Sequence, residues 1–262
     1  MIRFVLAAAA LAVSWSGTAG ASSSRWETVE GARVRLVSSG LPDEAGQLRG
    51  IIEIDLKPGW KTYWREPGGA GVPPSIDTSG SAQVAATALE FPAPERHFDG
   101  DLPWAGYSRP VAFPLTFSLA PGSKAAPIDL GVFLGVCETI CVPLQATLSL
   151  DPTEAPDDPA DAARVANAFD ALPLPATDGF GVRLREMHDG KAVFEASLPE
   201  GAQDADLFLA ADGYVFGLPE RQQVDGRTMF SVSVERPVTA TGDIHYTLVT
   251  SEGAVSGSLD AF

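Results

Sequence analysis

Cys137 and Cys141, the two cysteines of the chain, lie four positions apart with Glu138, Thr139 and Ile140 between them. A Cys-x-x-x-Cys pair can be a redox-active disulfide, half of a metal site or a structural staple. In one extended strand, residues four apart are separated by about 13 Å, well beyond the roughly 7 Å that a disulfide tolerates. For the sulfurs to meet, the chain must turn between them, as a three-residue hairpin loop or as one turn of helix. The strand-like runs on either side, Val132 to Val136 and Val142 to Leu150, favour the hairpin, while the lack of glycine in the loop counts against it. A disulfide closing so small a ring removes little entropy from the unfolded chain, which makes it a weak staple and favours reactivity.

The other ligand types do not support a metal site. Beyond residue 21 the sequence has Met187 and Met229, and His97, His188 and His245, none in a spacing typical of zinc or copper motifs. No metal and no cofactor is expected. The loop carries no Lys, Arg or His, so the local sequence gives no reason for a thiolate pKa below the ~8.5 of free cysteine. The pair is expected to relay electrons rather than to act as a strong autonomous nucleophile. His-Glu-x-x-His, a phosphate-cradling glycine loop and a Gly-x-Ser-x-Gly elbow are all missing from the sequence.

The rest of the chain must place and position this pair. Met1-Ile2-Arg3, the apolar run Phe4 to Val13 and the small residues Ala19-Gly20-Ala21 read as a signal peptide over residues 1–21, with the mature chain starting at Ser22. That run is too short to span a bilayer and no later one is long enough, so a mature chain without a transmembrane segment is expected in an oxidising compartment. With 262 residues, 45% of them hydrophobic, the chain can bury a sizeable core, and its net charge of −16 argues against nucleic acid or anionic membrane as partner. A protein partner with a basic surface fits better.

Gly and Pro punctuate short apolar runs. Val34 and Leu36 alternate with Arg33 and Arg35, and Ile52, Ile54 and Leu56 with Glu53 and Asp55, as half-buried strands do. Further strands are expected at Val84 to Phe91, Val111 to Leu119, Ile128 to Val136 and Leu144 to Leu150. Residues 25–151 therefore read as a first β-sandwich. Residues 152–176 read as an acidic, proline-rich linker with one helix at Asp161 to Ala171, its inner face formed by Ala162, Val165, Ala166 and Phe169. Strand patterns at Val182 to Glu186, Ala192 to Leu198, Asp206 to Ala210, Thr228 to Val234 and Ile244 to Thr250 make residues 177–262 a second sandwich. The expected class is all-β, two tandem sandwiches with a short linker helix.

One resemblance rests on an ordered set of motifs. Gly59-Trp60-Lys61-Thr62-Tyr63-Trp64-Arg65-Glu66-Pro67-Gly68, Gly71-Val72-Pro73-Pro74, Phe91-Pro92-Ala93-Pro94-Glu95-Arg96, Gly106-Tyr107, Val111-Ala112-Phe113-Pro114-Leu115 and Val136-Cys137-Glu138-Thr139-Ile140-Cys141-Val142-Pro143 follow one another. Over roughly residues 30 to 150 this resembles the periplasmic amino-terminal domain of the DsbD thiol reductases, most nearly the ScsB variety associated with copper tolerance. The resemblance implies an immunoglobulin-like sandwich in which Cys137 and Cys141 take electrons by thiol-disulfide exchange and pass them to oxidised periplasmic proteins. It implies a cap over the cysteines within Arg96-His97-Phe98-Asp99-Gly100, with Phe98 or else Trp104 as the shielding aromatic, and Tyr63 and Trp64 as aromatics near the pair. Full-length reductases also have a transmembrane domain and a thioredoxin-like domain, both missing from this sequence. The implied electron donor is a separate CcdA-like membrane carrier or another thiol protein, and the implied clients are thioredoxin-like periplasmic proteins. Cys141 is the expected partner-facing sulfur. The competing reading is a non-enzymatic binding or metal-tolerance module pinned by a structural disulfide.

Overall fold

A computed structural model describes residues 22–69, 71–202, 204–235 and 242–260; the expected signal peptide, residues 1–21, lies outside them. The first region runs through β1 (Glu27–Val29), β2 (Ala32–Ser38), β3 (Gln47–Leu56), β4 (Lys61–Tyr63), β5 (Ser75–Asp77), β6 (Val84–Leu89), β7 (Glu95–Asp99), β8 (Leu102–Tyr107), β9 (Val111–Leu119), β10 (Ile128–Cys137) and β11 (Cys141–Leu150). These strands form one sheet ordered β1-β2-β3-β9-β6 and another ordered β11-β10-β4-β8-β7, with β5 also paired to β10.

The two-residue period of a strand sorts the side chains. Val34 and Leu36 of β2 are fully buried opposite Ile54 and Ile52 of β3. Arg33 and Arg35 project outward into ion pairs with Asp55 and Glu53. Phe113, Leu115 and Phe117 of β9 meet Leu130, Leu134 and Val136 of β10 in the core between the sheets. Each such side chain contributes roughly 1.5–3 kcal/mol by leaving water, and together they hold β10, the strand that ends at Cys137.

The helix α1 (Pro159–Asp170) begins where its cap chemistry sets it. Asp158 accepts hydrogen bonds from the amides of Ala160 and Asp161, and Pro159 occupies the first turn. It therefore starts two residues earlier than the apolar spacing suggested. Its buried stripe is Asp161, Val165 and Ala168, packed on Val37 and Ile51, with Phe169 at the margin. The inner face expected from Ala162, Val165, Ala166 and Phe169 is corrected accordingly. Ala162 and Ala166 lie one step around the helix, and the Ser22 hydroxyl donates to Asp161 at 2.7 Å in the interior.

The second region holds β12 (Leu174–Pro175), β13 (Gly181–His188), β14 (Lys191–Ser197), β15 (Asp206–Ala210), β16 (Val215–Phe216), β17 (Glu220–Val224), β18 (Arg227–Glu235), β19 (Ile244–Thr250) and β20 (Gly253–Leu259). Its sheets are ordered β12-β20-β19-β15 and β13-β14-β18-β16, with β17 also paired to β18. Phe194, Phe230, Ile244 and Leu248 lie at the centre of its core. Among the described residues the fold is thus all-β in two sandwiches with one short helix. The sandwiches share packing: Phe208 and Ala210 of β15 are buried with the first core, and Phe208 meets Trp64 edge-on at 5.8 Å. Among the described residues no helix is long and apolar enough to cross a membrane.

Candidate functional site

Strands β10 and β11 pair continuously from Ile128↔Leu150 to Cys137↔Cys141, so Glu138-Thr139-Ile140 forms a three-residue hairpin loop. Cys137 and Cys141 are joined as a disulfide with their Cα atoms 4.1 Å apart. None of the three loop residues takes a positive φ, so the hairpin closes without the glycine its sequence lacks.

The two sulfurs have unequal surroundings. β10 is flanked by β11 on one side and by β4 on the other, with Cys137 in register with Lys61, and Cys137 is 1% exposed. Cys141 begins the outermost strand of the sheet and is exposed, next to Ile140 at 77%. The buried Tyr63 hydroxyl donates to Cys137 Sγ at 3.1 Å and lies 3.5 Å from Cys141 Sγ. Burial, reinforced by the negative charge of Asp99, raises the Tyr63 phenol above its ordinary pKa, so it remains a donor at neutral pH.

Two glycines make room for this tyrosine. A Cβ on Gly135 would lie 3.1 Å from the Tyr63 ring and 2.8 Å from Val72, and one on Gly106 would lie 2.3 Å from the Thr62 carbonyl oxygen. Trp104 of β8 meets Tyr63 edge-on at 5.9 Å, and the two pack with Cys137 in a small cluster of their own. His97 stacks on Trp104 at 4.1 Å, and the Lys61 ammonium sits 4.5 Å from the centre of the same indole. Lys61 also donates to Asp99, and this bond holds the Asp99 carboxyl below its ordinary pKa.

Of the residues singled out in the sequence, Cys137, Cys141, Tyr63 and Trp104 come together. Phe98 is 58% exposed and shares a face of β7 with Arg96, whereas His97 and Asp99 on the other face line the cluster. Trp64 is buried in the main core against Phe208 and is not part of the cysteine cluster. Lys61, His97 and Asp99 were not singled out for these positions. The local loop has no cation, yet strand pairing brings Lys61 beside Cys137 from 76 residues away. Only the cross-strand register carries that information.

This arrangement can perform directional disulfide chemistry. Thiolate attack runs along the S–S axis, so the exposed Cys141 Sγ can be attacked from solvent while Cys137 departs as thiolate. The departing charge meets the Tyr63 hydroxyl, a donor that favours the thiolate over the thiol, while the ammonium of Lys61, in backbone register with Cys137, is held by Asp99 and Trp104.

Comparison with known proteins agrees with this geometry. The family model described as thiol:disulfide interchange protein DsbD, N-terminal, matches residues 33–152. Among solved structures, the N-terminal periplasmic domain of ScsB from Proteus mirabilis superposes with a TM-score of 0.75 at 20% identity, covering 93% of this chain and 100% of that one. A conserved domain protein from Bacillus anthracis reaches a TM-score of only 0.24 at 9% identity, covering 86% of this chain and 75% of that one, and adds nothing to the assignment. No curated protein matches the chain. Over residues 33–152 the first sandwich is therefore a DsbD-like N-terminal domain, and the two sandwiches together have the fold of the ScsB N-terminal periplasmic domain.

Proposed function

We propose that the chain is a periplasmic electron relay working by thiol-disulfide exchange through Cys137 and Cys141. The observation that carries this reading is the asymmetry of the pair: an exposed Cys141 sulfur bonded to a buried Cys137 sulfur that already receives the Tyr63 hydroxyl. A donor thiolate attacks Cys141 Sγ, the Cys137–Cys141 bond breaks, and Cys137 departs as thiolate. The donor's second thiolate then attacks the donor sulfur of the mixed disulfide and releases Cys141, leaving the donor oxidised and this chain reduced by two electrons. With a client disulfide the steps reverse: Cys141 thiolate attacks, and Cys137 resolves by attacking Cys141 Sγ.

Trp104 is the shield in this reading, because it packs with Tyr63 on Cys137, while Phe98 faces solvent. The signal-peptide pattern over residues 1–21, the exposed disulfide and the likeness to a periplasmic domain support a periplasmic location. The electron donor is a CcdA-like membrane carrier or another thiol protein, and the clients are oxidised thioredoxin-like proteins with a basic surface that complements the acidic chain. A staple role is disfavoured, because β10 and β11 already pair continuously along their whole length and the extra link closes only a five-residue ring. The test is a redox titration against glutathione and dithiothreitol. The relay requires a potential in the range of catalytic disulfides, and a value far below about −300 mV would mark the bond as structural.

A further inference from the structure

The hairpin β7–β8 forms the wall of the cysteine site, carrying His97, Asp99 and Trp104, yet β7 is the outermost strand of its sheet. Edge hairpins open locally more readily than strands paired on both sides. Here the exposed face of β7 is not left to itself. Arg96 grips the second sandwich: its Nε donates to Asp206 Oδ1 and Oδ2 at 3.0 and 2.9 Å, and its Nη2 donates to Asp206 Oδ1 at 2.9 Å and to the Leu207 carbonyl at 2.7 Å. The guanidinium also lies 4.4 Å from the centre of the Phe208 ring, and the Arg96 side chain is only 16% exposed. Phe208 is in turn buried in the first core against Trp64. Arg96 thus binds three consecutive residues of β15 from a point next in sequence to His97, which is in register with Trp104. On the opposite face, Lys61 holds Asp99.

We propose that the second sandwich acts as a stay for this hairpin and that Arg96 is a positioning residue. By fastening β7 to β15 it keeps Trp104 over Cys137, so that the resolving sulfur is protected while Cys141 remains accessible. The proposal deepens the exchange reading and rests on it for its purpose, but its test needs no exchange partner. In the reduced full mature chain carrying Cys141→Ala, Cys137 is the sole thiol, and its alkylation by iodoacetamide reports how often the hairpin opens. Arg96→Ala should raise that rate roughly tenfold, because a partly buried bidentate ion pair is lost from the closed state alone. Arg96→Lys, which keeps one ion pair, should fall between. Asp206→Asn, milder for folding, should also accelerate alkylation.

Val255→Ala serves as the control for general loosening. Val255 is buried in β20, away from β15, and its truncation should lower the melting temperature without changing the alkylation rate. An Arg96→Ala rate within about twofold of the parent, or an equal acceleration in Val255→Ala, would overturn the stay. Failure to form mixed disulfides would instead refute the exchange reading and leave these rates as they are.

Discussion

Replacing Tyr63 by Phe deletes one oxygen from the cysteine cluster and little else, because the ring stays wedged beside Gly135 and against Trp104. The lost group is the donor 3.1 Å from Cys137 Sγ. Towards the neutral disulfide this is a weak bond, whereas towards the Cys137 thiolate it is a hydrogen bond to a charged acceptor, worth about 1.5 kcal/mol at the low end of the usual range. At 1.36 kcal/mol per unit, Tyr63→Phe should raise the thiolate pKa of Cys137 by about one unit. A leaving sulfur carries roughly half its final charge in the exchange transition state, so about 0.7 kcal/mol is lost there and reduction should slow about threefold. Stopped-flow reduction by dithiothreitol, followed by tryptophan fluorescence, measures the rate. Alkylation against pH in the Cys141→Ala background measures the pKa. A folded Tyr63→Phe protein with the parent's rate and pKa would refute the assignment of Tyr63 as the group that receives the departing charge.

Other outcomes follow from the same geometry. Gly135→Ala places a methyl group 2.8 Å from the Val72 Cβ and 3.1 Å from the Tyr63 ring, and should cost about 1–3 kcal/mol in urea unfolding while disturbing the near-ultraviolet dichroism of the cluster. Asp99 has a lowered pKa in the folded chain, chiefly through the Lys61 bond. That bond is therefore fully present above the ordinary carboxylate value near 3.9 and is lost as pH falls through the lowered one. The fluorescence difference between parent and Trp104→Phe should show a transition below about pH 4 that is missing in an Asp99→Asn background. Asp161→Ala leaves the buried Ser22 hydroxyl without its acceptor and should cost about 1–2 kcal/mol in urea unfolding; an unchanged midpoint would show that this anchor contributes nothing.

What could be read from the sequence was what short-range periodicity encodes. Val34 and Leu36 against Arg33 and Arg35 announced their strand and its buried face, and the apolar runs flanking Cys137 and Cys141 favoured a hairpin over one turn of helix. The β7–β8 hairpin was not legible as strands, because Glu95-Arg96-His97-Phe98-Asp99 has one apolar residue and owes its extended form to pairing with β8 and to the second sandwich. The helix boundary was set by Asp158 and Pro159, which the apolar spacing does not include. Lys61 and Asp99 escaped for another reason: their meeting depends on β4 lying next to β10 and on β8 pairing with β4 with β7 at its far side, long-range facts that no local pattern carries. Phe98 and Trp104 are both aromatic and six residues apart, and only strand alternation separates the one facing solvent from the one covering the sulfur.

The claim that Cys141 meets the partner while Cys137 resolves is tested most directly by trapping in the periplasm. With the resolving sulfur removed, Cys137→Ala should accumulate mixed disulfides through Cys141 with thioredoxin-like proteins, visible as reductant-sensitive bands on non-reducing gels, and Cys141→Ala should accumulate far less. If neither variant forms a mixed disulfide, or if Cys141→Ala traps more than Cys137→Ala, the account is contradicted.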